Sequence, residues 1–552
     1  MPLRRPGIIS QMPVGLCRFL ALFLILGSAA LHVSYLARSC PLDLASDEAH
    51  YWDWSRNLDW SYYSKGPLVA WLIRASCEIA GPWSEHLTGN LALAIRLPAV
   101  ACGTLLLVSL YLLALQIHGR EQYGLAAVGI ALTLPIIAVG ASVMTIDAPY
   151  TCCWGWALVC AYRAISRNSA WAWPVTGIIV GLGILAKYTM GLFIPSVFLY
   201  LLASPTQRYL LRRPGFWVMC GVALSCCLPI LIWNAEHNWV TFNHLLALAG
   251  FGPAHADEPT DGPRFQLLGP LVYVGGQAAL LLGFWFVTWV AAMYVYRPTV
   301  EKDPGLNYLW WMSAPMFVWF WAFSFKTGGG EVNWPVTAYL SGLVLASRWI
   351  QRQLESPSGW YRHWSRLNVA TACTIGLAIT LLLHHSEVVH PLLAKITGKP
   401  TASNRFPLRK LDPTCRLRGW RTLAAAVDEV RQRLQEEGAG EVFLVGVSWT
   451  TPGELGAYCK GNPRAYTFGP LAGDRHSQYD LWPGPLSQPE DFKGCTFLLI
   501  GDPIPNLAAG FDHVECGQEV VHYEHGRPIS SWCLTVCRGF KGFPAPVQRG
   551  NF

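Results

Sequence analysis

The sequence has few charged residues. Only 14% of its 552 residues are Asp, Glu, Lys or Arg, whereas 52% are hydrophobic and the mean hydropathy is +0.30. A surface helix of a soluble protein carries a polar face, which interrupts apolar segments at every turn. The scarcity of charge therefore excludes a set of ordinary soluble domains for most of the chain.

Several sequence patterns are also absent. No two cysteines have the C-x-x-C spacing, which argues against a zinc ribbon. Neither a P-loop nor a G-x-G-x-x-G pattern occurs, so nothing indicates a nucleotide site. The ten-residue alternating strands of a transmembrane barrel are missing as well, and we find no internal repeat.

Long apolar segments are abundant instead. About eleven of them approach the length of some 20 residues that spans a bilayer as a helix, although the halves of 172–203 are short. The first segment lacks a small-x-small cleavage site, so we interpret it as an uncleaved anchor rather than a signal peptide. The segments are 15–36, 92–115, 123–143, 147–164, 172–187, 188–203, 215–233, 267–296, 307–325, 334–350 and 367–385.

Lysine and arginine are concentrated in alternate loops, which is typical of the cytoplasmic side of a membrane protein. This bias predicts a multi-pass protein of the cytoplasmic membrane with a cytoplasmic N-terminus and an extracytoplasmic tail. It also accounts for the net charge of +7, so no nucleic-acid partner is required. The residues are Arg4, Arg5, Arg18, Arg120, Arg163, Arg167, Arg208, Arg212, Arg213, Arg297, Lys302, Arg348, Arg352, Arg362 and Arg366.

The composition changes near residue 386. We predict a transmembrane domain over 1–386, a polar linker over 387–411 and an extracytoplasmic α/β domain over 412–552. In the tail, Leu423, Val427, Val430 and Leu434 recur at the spacing of one helix face. EVFLVGVSW, RAYTF and CTFLLIGD read as strands, ELGAYCKG as a short helix, and VVHYEHGRPISSWCLTVCRG as a hairpin that turns at HGRP.

Seventeen cysteines are present. Those inside apolar segments, such as Cys152 and Cys226, are interpreted as small apolar fillers. An even number in an exported tail permits disulfides, but the sequence leaves their pairing open. The tail cysteines are Cys415, Cys459, Cys495, Cys516, Cys533 and Cys537.

The first outer loop, DEAHYWDWSRNLDWSYYSKGPL, combines acids, aromatics and a lysine. Its aromatics suit a membrane interface. Asp47 and Glu48 lie close to the lipid boundary, where unused acids are costly, and a carboxylate there can act as a general base. Lys65 is suited to hold a phosphate as a point charge, or it is a lysine that extends toward the interface.

Three further stretches carry candidate residues. Asp147 opens a helix and is either a helix cap or part of the site. Lys187 interrupts thirty apolar residues, which makes it a functional candidate or a marker of a helix end. Glu331 and Asn333 precede the segment at 334–350, in which Pro335 suits the first turn of a helix.

A fourth stretch, WNAEHNWVTFNH, opens a long outer loop over 234–266. Glu236, His237 and His244 match no strong metal-ligand spacing. We therefore assign no metal ligand, and a divalent-metal cofactor stays open.

Five stretches together resemble bacterial members of the dolichyl-phosphate-mannose–protein mannosyltransferase superfamily, which includes aminoarabinose–lipid A transferase. DEAHY is similar to the acidic motif of the family, YYSKGP to its aromatic–Lys–Pro element, and TIDAP to its D-x-P motif. GLGILAKYT is similar to its lysine-bearing helix pair, and VNWPVTAYL to its Asn-Trp-Pro element. The resemblance covers about residues 15–385, and SQYDLWPG in the tail also looks like the outer domain of some members.

The resemblance implies the GT-C fold and an enzyme that transfers a sugar from a polyprenyl phosphate to a lipid, glycan or protein acceptor at the outer membrane face. It also implies site residues. Asp47, Glu48 and Asp147 would be catalytic, with Asp47 the base or acceptor-orienting carboxylate and Asp147 the residue that positions Lys65 or the acceptor. Lys65 and Lys187 would bind the donor phosphate. The sugar and acceptor pocket would include Tyr51, Tyr62, Tyr63 and Asn333.

Two departures and two alternatives belong with this interpretation. Ser64 replaces an acid of the aminoarabinose enzyme, which argues against that particular reaction, and Gly66 replaces a proline. A transporter or flippase of lipid-linked sugar would show broken helices at the membrane midplane and internal repeats. A membrane-anchored glycan-binding protein would depend on its tail.

Overall fold

The structure is a computed structural model that describes residues 12–248, 265–401 and 404–543. Arg4 and Arg5, which contribute to the predicted orientation, lie outside the described residues. So do residues 249–264 of the predicted outer loop.

Helices dominate the chain up to residue 397. The first α-helices are α1 (Val14–Arg38), α2 (Ser46–Arg56), α3 (Leu68–Thr88), α4 (Ala92–His118), α5 (Glu121–Leu132), α6 (Pro135–Gly140), α7 (Asp147–Ser166), α8 (Ala172–Ala186), α9 (Phe193–Ala203) and α10 (Pro214–Cys226). They are followed by α11 (Leu228–Glu236), α12 (Val240–Leu248), α13 (Gly269–Leu280), α14 (Phe284–Val295), α15 (Pro304–Thr327), α16 (Ala338–Leu354), α17 (Gly359–His384) and α18 (His390–Thr397).

The apolar segments form helices, as predicted. Within the described residues, four helices are long and apolar enough to cross a membrane, namely α1, α4, α17 and the continuous stretch Pro214–Glu236. The number rises to five if α13 and α14 count as one bent span. The structure is therefore that of a helical protein with several apolar helices, and the predicted number of about eleven spans is not confirmed.

Two predicted segments are broken rather than continuous. The segment 267–296 divides into α13 and α14, which are bent by 111°. Leu282 and Gly283 at the break both have positive φ, which an α-helix cannot accommodate. The segment 123–143 breaks before Pro135, whose ring has no N–H to continue the helix.

The described chain clusters into two compact units. Unit 1 comprises Met1–Ser34, Leu97–Trp233 and Pro259–Leu381, and unit 2 comprises Tyr35–Arg96, Asn234–Glu258 and Leu382–Phe552. The first outer loop thus belongs to the same unit as the tail, which the sequence did not indicate. The domain boundaries at 386 and 411 stay a prediction.

Helix packing in unit 1 depends on small residues at close contacts. A Cβ atom at Gly177 would lie 2.6 Å from the carbonyl oxygen of Met219, so α8 and α10 approach each other at backbone distance. Small residues permit such approaches between apolar helices. A separate aromatic cluster packs α14 against α16 through Trp285, Trp289 and Tyr339.

Unit 2 contains a six-stranded sheet in the tail, and the strands follow most of the predicted segments. The strands are β1 (Val442–Gly446), β2 (Ala465–Thr467), β3 (Thr496–Ile500), β4 (Phe511–Val514), β5 (Gln518–Glu524) and β6 (Arg527–Phe540). β1–β2 and β1–β3 are parallel, whereas β6 pairs antiparallel with β3, β4 and β5. The main path of the sheet has the order β2-β1-β3-β6-β4.

The predicted hairpin is confirmed, because β5 and β6 are joined at His525 and Gly526. Both residues have positive φ, as tight hairpin turns require. The predicted tail helices are also present, as α19 (Trp420–Glu436) and α20 (Thr451–Tyr458). Strand β4 was not predicted from the sequence.

The predicted apolar face of α19 is buried against the sheet. Leu423, Val427, Val430 and Leu434 belong to one core cluster together with Leu498 of β3 and other strand residues. Residues that alternate with these along the strands, such as Phe497, pack into a second cluster. Each of the seventeen cysteines lies among the described residues and is a free thiol, including the six in the tail.

Candidate active site

The carboxylate of Asp147 binds the two other predicted site residues of unit 1, Lys187 and Asn333. It is the first residue of α7, and its Oδ1 lies 2.7 Å from Nζ of Lys187. Its other oxygen, Oδ2, accepts a hydrogen bond of 2.9 Å from Nδ2 of Asn333. The N-cap position of α7 is Ile146 rather than Asp147, and both carboxylate oxygens of Asp147 bind side chains from other elements.

Lys187 lies at a break between apolar helices. It follows the end of α8 with an extended backbone (φ −146°, ψ 123°), and the 3₁₀ helix Tyr188–Leu192 begins next. Its side chain is only 11% exposed and its Nζ lies 5.3 Å from the centre of the Tyr150 ring. A cation over an aromatic face and beside a carboxylate is stabilised in both contacts, so Lys187 is held rather than extended toward water.

Asn333 lies in a turn before α16. The turn bonds through Ala338 N–H to the carbonyl of Pro335 and through Tyr339 N–H to the carbonyl of Val336. The helix therefore begins at Ala338, and the expectation that Pro335 occupies its first turn is wrong, because a tighter turn with i to i+3 bonds precedes it.

In unit 2, the two acids of α2 have opposite environments. Asp47 is exposed on the first turn of the helix, whereas Glu48 is fully buried. Oε2 of Glu48 lies 2.8 Å from Nη2 of Arg96, and Nε of Arg96 donates to Oε1 at 3.0 Å. Oε2 also accepts from the N–H of Ala45 at the start of α2. Glu48 thus forms a buried, two-point ion pair that fixes the beginning of this helix.

Sequence reasoning did not single out Arg96. The residue lies in the apolar segment at 92–115 and is 3% exposed. Its guanidinium also donates to the carbonyls of Leu42 and Asp43. An arginine near the start of an apolar segment needs a buried partner, and that rule could have paired it with one of the two acids.

The loop that carries Lys65 is built on buried aromatic residues. The Tyr62 ring stacks on Trp54 at 4.3 Å, and its hydroxyl donates to the carbonyls of Trp54 and Asn57. The N–H of Tyr62 bonds to the carbonyl of Lys65, which closes the turn. Tyr51 is buried against Trp54 as well. Of the six aromatics expected at a membrane interface, only Trp60 has a mostly exposed side chain.

Lys65 lies in a region of positive charge. Burial, followed by the nearby positive charges of Lys65 and Arg475, lowers the pKa of His244 to about 4. The His244 ring lies 4.8 Å from that of Tyr63. His244 is therefore neutral at physiological pH, and the positive charge that Lys65 and Arg475 concentrate in this region suits an anion.

A cavity of about 480 Å³ opens beside Tyr63 within unit 2. The tail segment SQYDLWPG forms much of its wall, and Oε1 of Gln478 accepts a 2.7 Å hydrogen bond from the N–H of Tyr63. Burial raises the pKa of Asp480, a second polar group at the cavity. The aromatic and ionisable lining residues are Tyr63, Tyr466, Tyr479, Trp482, His476 and Asp480.

A buried acid also lies beside α2. Glu454 of α20 is 1% exposed, and neither carboxylate oxygen has a hydrogen-bond partner. A Cβ atom at the preceding Gly453 would lie 2.6 Å from the backbone of Ala49, so α20 packs directly on α2. Burial, followed by the negative charges of Asp43 and Glu48, raises the pKa of Glu454 well above its usual value.

The predicted residues thus fall into two groups. In unit 1, Lys187 and Asn333 both contact Asp147. The α2 region of unit 2 contains Asp47, Glu48, Tyr51, Tyr62, Tyr63 and Lys65. Glu236, His237 and His244 do not form a candidate metal group among the described residues.

The chain is similar to known glycosyltransferases. The family model described as dolichyl-phosphate-mannose-protein mannosyltransferase matches residues 64–233, which include Lys65, Asp147 and Lys187. A curated relative, lipid A galacturonosyltransferase RgtD from Rhizobium johnstonii, is 28% identical over 309 residues. That match covers 55% of this chain and 60% of the relative, so this chain spans less than two thirds of the relative's length.

Two solved structures share the fold. ArnT from Cupriavidus metallidurans in the apo state has a TM-score of 0.53, and ArnT bound to undecaprenyl phosphate has a TM-score of 0.56. Both are 16% identical to this chain, and each comparison covers 93% of this chain and 97% of ArnT. The predicted resemblance to the mannosyltransferase superfamily and its GT-C fold is confirmed.

We expect the change Arg96→Met to destabilise unit 2 strongly. It leaves the carboxylate of Glu48 buried without its cation, which costs about 3–5 kcal/mol. The matched control is Arg74→Met, whose partner Glu78 is 60% exposed and whose own side chain is 44% exposed, so that pair contributes less than about 1 kcal/mol. Thermal unfolding in detergent, followed by tryptophan fluorescence, measures both.

The double variant Glu48→Met with Arg96→Met distinguishes the destabilisation caused by the unpaired charge of Glu48 from that caused by altered packing. Because it removes both charges, it recovers a large part of the stability that Arg96→Met loses. Equal melting temperatures for Arg96→Met and Arg74→Met would contradict the assigned role of the buried pair.

Proposed function

We propose that the chain is a glycosyltransferase that moves a sugar from a polyprenyl-phosphate donor to an acceptor at the outer face of the cytoplasmic membrane. The single observation that carries this proposal is the position of Lys187. An ammonium group lies at a helix break among apolar segments, fixed by Asp147 and facing an aromatic ring. The names of the similar proteins, which are a lipid A galacturonosyltransferase and ArnT bound to undecaprenyl phosphate, support the same reaction class.

Lys187 is the proposed ligand of the donor phosphate. A polyprenyl phosphate is anchored in the bilayer, so its phosphate stays at the depth of the headgroups. An ammonium group has three N–H donors, and the contact with Asp147 uses one of them. The others can bind phosphate oxygens, where the positive charge stabilises the negative charge that develops on the leaving group. Asp147 and Asn333 then orient the lysine.

We assign Lys65 a phosphate-binding role as well. It is half-buried in a loop that the Tyr62–Trp54 stack holds rigid, and Arg475 adds a second positive charge nearby. A rigid loop that presents a lysine loses little conformational entropy when an anion binds.

Asp47 is the proposed general base. Its carboxylate is exposed on a fixed helix, so it can accept a proton from an acceptor hydroxyl or amine as that atom attacks the sugar. Glu48 serves a different purpose, since its oxygens are taken by Arg96 and by the N–H of Ala45. We therefore propose that Glu48 positions α2 and that only Asp47 moves a proton.

The cavity beside Tyr63 is the proposed site for the acceptor saccharide. Aromatic faces pack against the C–H groups of sugar rings, while Asp480 and His476 offer polar contacts to hydroxyl groups. Tyr51 and Tyr62 do not line this cavity but pack on Trp54, and we propose that they support the loop instead. The relatives favour a lipid-borne acceptor over a soluble glycan or a protein.

We also propose the membrane arrangement that the sequence predicts, with about eleven apolar segments in the bilayer, a cytoplasmic N-terminus and an extracytoplasmic tail. The helices at each of these segments and the basic loops between them support it.

The change Lys187→Gln is expected to reduce sugar transfer about 10²–10³-fold, the usual effect of losing one preorganised contact to developing charge. Cells that lack the protein lose one sugar from an envelope lipid, and mass spectrometry of extracted lipids identifies it. The unaltered protein and the control Lys302→Gln, in an exposed loop, restore the sugar. Restoration by Lys187→Gln at the wild-type rate would exclude the proposed role.

For Asp47→Asn we expect a turnover about 10²–10⁴-fold lower, because the amide cannot accept the proton, with unchanged binding of the donor. Membranes that contain the donor and acceptor identified above provide the assay. Asp491→Asn, an exposed acid of the tail, is the control. If Asp47→Asn transfers sugar normally and lipid-linked sugar crosses the bilayer, the protein is a transporter instead.

For Trp482→Ala we expect an increase in KM for the acceptor of about tenfold, since stacking on a sugar contributes about 1 kcal/mol or slightly more. The KM for the donor stays the same. Steady-state kinetics with each substrate varied in turn measure both values, and Tyr523→Ala provides a control at an exposed aromatic residue of the same unit. Equal effects on the two KM values would show that the cavity does not select the acceptor.

A further inference from the structure

A buried group of three different donor atoms lies in unit 2, among residues that have no part in the proposed reaction. His390 begins α18, Asp412 precedes the short helix Pro413–Leu417, and Cys415 lies within that helix. None of the three is more than 5% exposed. One nitrogen, one oxygen and one sulfur all lie within 4.8 Å of one another, and this is the only such group among the described residues.

The donor atoms converge on one ring nitrogen. Nε2 of His390 lies 2.8 Å from Oδ2 of Asp412 and 4.0 Å from Sγ of Cys415. The other carboxylate oxygen, Oδ1, accepts hydrogen bonds from the N–H and the hydroxyl of Thr414. Asp412 is therefore fixed with Oδ2 directed at the group.

The opposite ring nitrogen of His390 also has a carboxylate. Its Nδ1 lies 3.2 Å from Oε2 of Glu524, and Oε1 of Glu524 is held by Arg418 at 2.9 Å. Histidines that bind metal ions commonly donate their second N–H to a carboxylate, which fixes the ring orientation and the tautomer. At His390 this contact is an ion pair by distance only, because neither Nδ1 nor Oε2 of Glu524 has hydrogen-bond geometry. Glu524 therefore lies beside the second ring nitrogen without fixing the tautomer.

The charges around the group favour a cation. Asp412, Glu524 and Glu387 contribute three carboxylates, and two guanidinium groups oppose them. Arg418 pairs with both glutamates, and Arg409 lies close enough to Cys415 for an electrostatic interaction.

We propose that His390, Asp412 and Cys415 bind a divalent transition-metal ion, with zinc the ion that this donor set fits best. Thiolate and imidazole ligands favour zinc over magnesium or calcium, which prefer oxygen ligands throughout. Binding leaves Cys415 as the thiolate and His390 as the neutral imidazole, and the displaced protons pass to solvent.

Such an ion links α18 to Asp412 and Cys415 at the beginning of the tail. His390 lies on α18, and its neighbours Ala394 and Leu408 pack with Cys415 and with Ile529 of β6 in one small core cluster. The ion is structural, because its ligands are buried and contact no residue of the proposed reaction. The ion stabilises a region whose core cluster contains only a few apolar side chains.

The test uses the full-length protein in detergent, with zinc alone as the probe. We expect one zinc per chain by elemental analysis after dialysis against micromolar zinc, and a lower melting temperature after treatment with a chelator. Cys415→Ser loses the zinc, whereas Cys516→Ser, which removes an exposed thiol of the same tail, retains it. Wild-type protein without zinc, or equal zinc in both variants, would overturn the proposal.

A cobalt spectrum tests the wild-type protein directly, so the result does not depend on how a variant folds. Cobalt(II) at the site gives a sulfur-to-cobalt absorption band in the near ultraviolet together with visible bands of a low-coordinate ion, and zinc abolishes them. Absence of the sulfur band would show that the group is a metal-free network in which protonated His390 bridges two carboxylates.

Discussion

A charge removed from water needs an opposite charge beside it, and the candidate site depends on this constraint. Burying an unpaired ion costs several kcal/mol, so each ion in an apolar setting requires a partner. Lys187 and Asp147 satisfy this requirement while remaining partly accessible, whereas Arg96 and Glu48 satisfy it in full burial. The same interaction therefore has two uses. We propose that the accessible pair accepts a substrate phosphate as a third member, whereas the buried pair fixes the helix that carries Asp47.

Neighbouring residues of similar chemistry differ in their burial and in their contacts. Asp47 and Glu48 are neighbours, yet one is exposed and the other is enclosed with a guanidinium. Tyr62 and Tyr63 are likewise adjacent, but Tyr62 supports the loop through its hydroxyl, whereas Tyr63 lies at a cavity. Enzymes need such supporting residues because reacting groups must be held within a fraction of an ångström of their productive positions.

The sequence predicted the features that depend on local pattern. Apolar length located the helices, period-3.6 and strand patterns located α19 and most of the sheet, and motif resemblance located the group around Asp147. Features that depend on distant contacts were missed. The pairing of Arg96 with Glu48 joins residues 48 positions apart, and the packing of Gly453 on α2 joins the tail to the first outer loop. The break at Leu282 and Gly283 was missed because the hydrophobicity of a segment does not indicate the backbone dihedral angles of its residues.

The proposed reaction requires that the unaltered protein recognise a polyprenyl phosphate, and binding of that lipid can be measured. Native mass spectrometry of the detergent-solubilised chain, with undecaprenyl phosphate and excess phosphatidylglycerol, counts the lipids that remain bound. We expect a single undecaprenyl phosphate to be retained in preference to phosphatidylglycerol, because a fixed ammonium group binds a phosphate monoester dianion more strongly than a diester monoanion. Equal retention of the two lipids, in proportion to their concentrations, would contradict it.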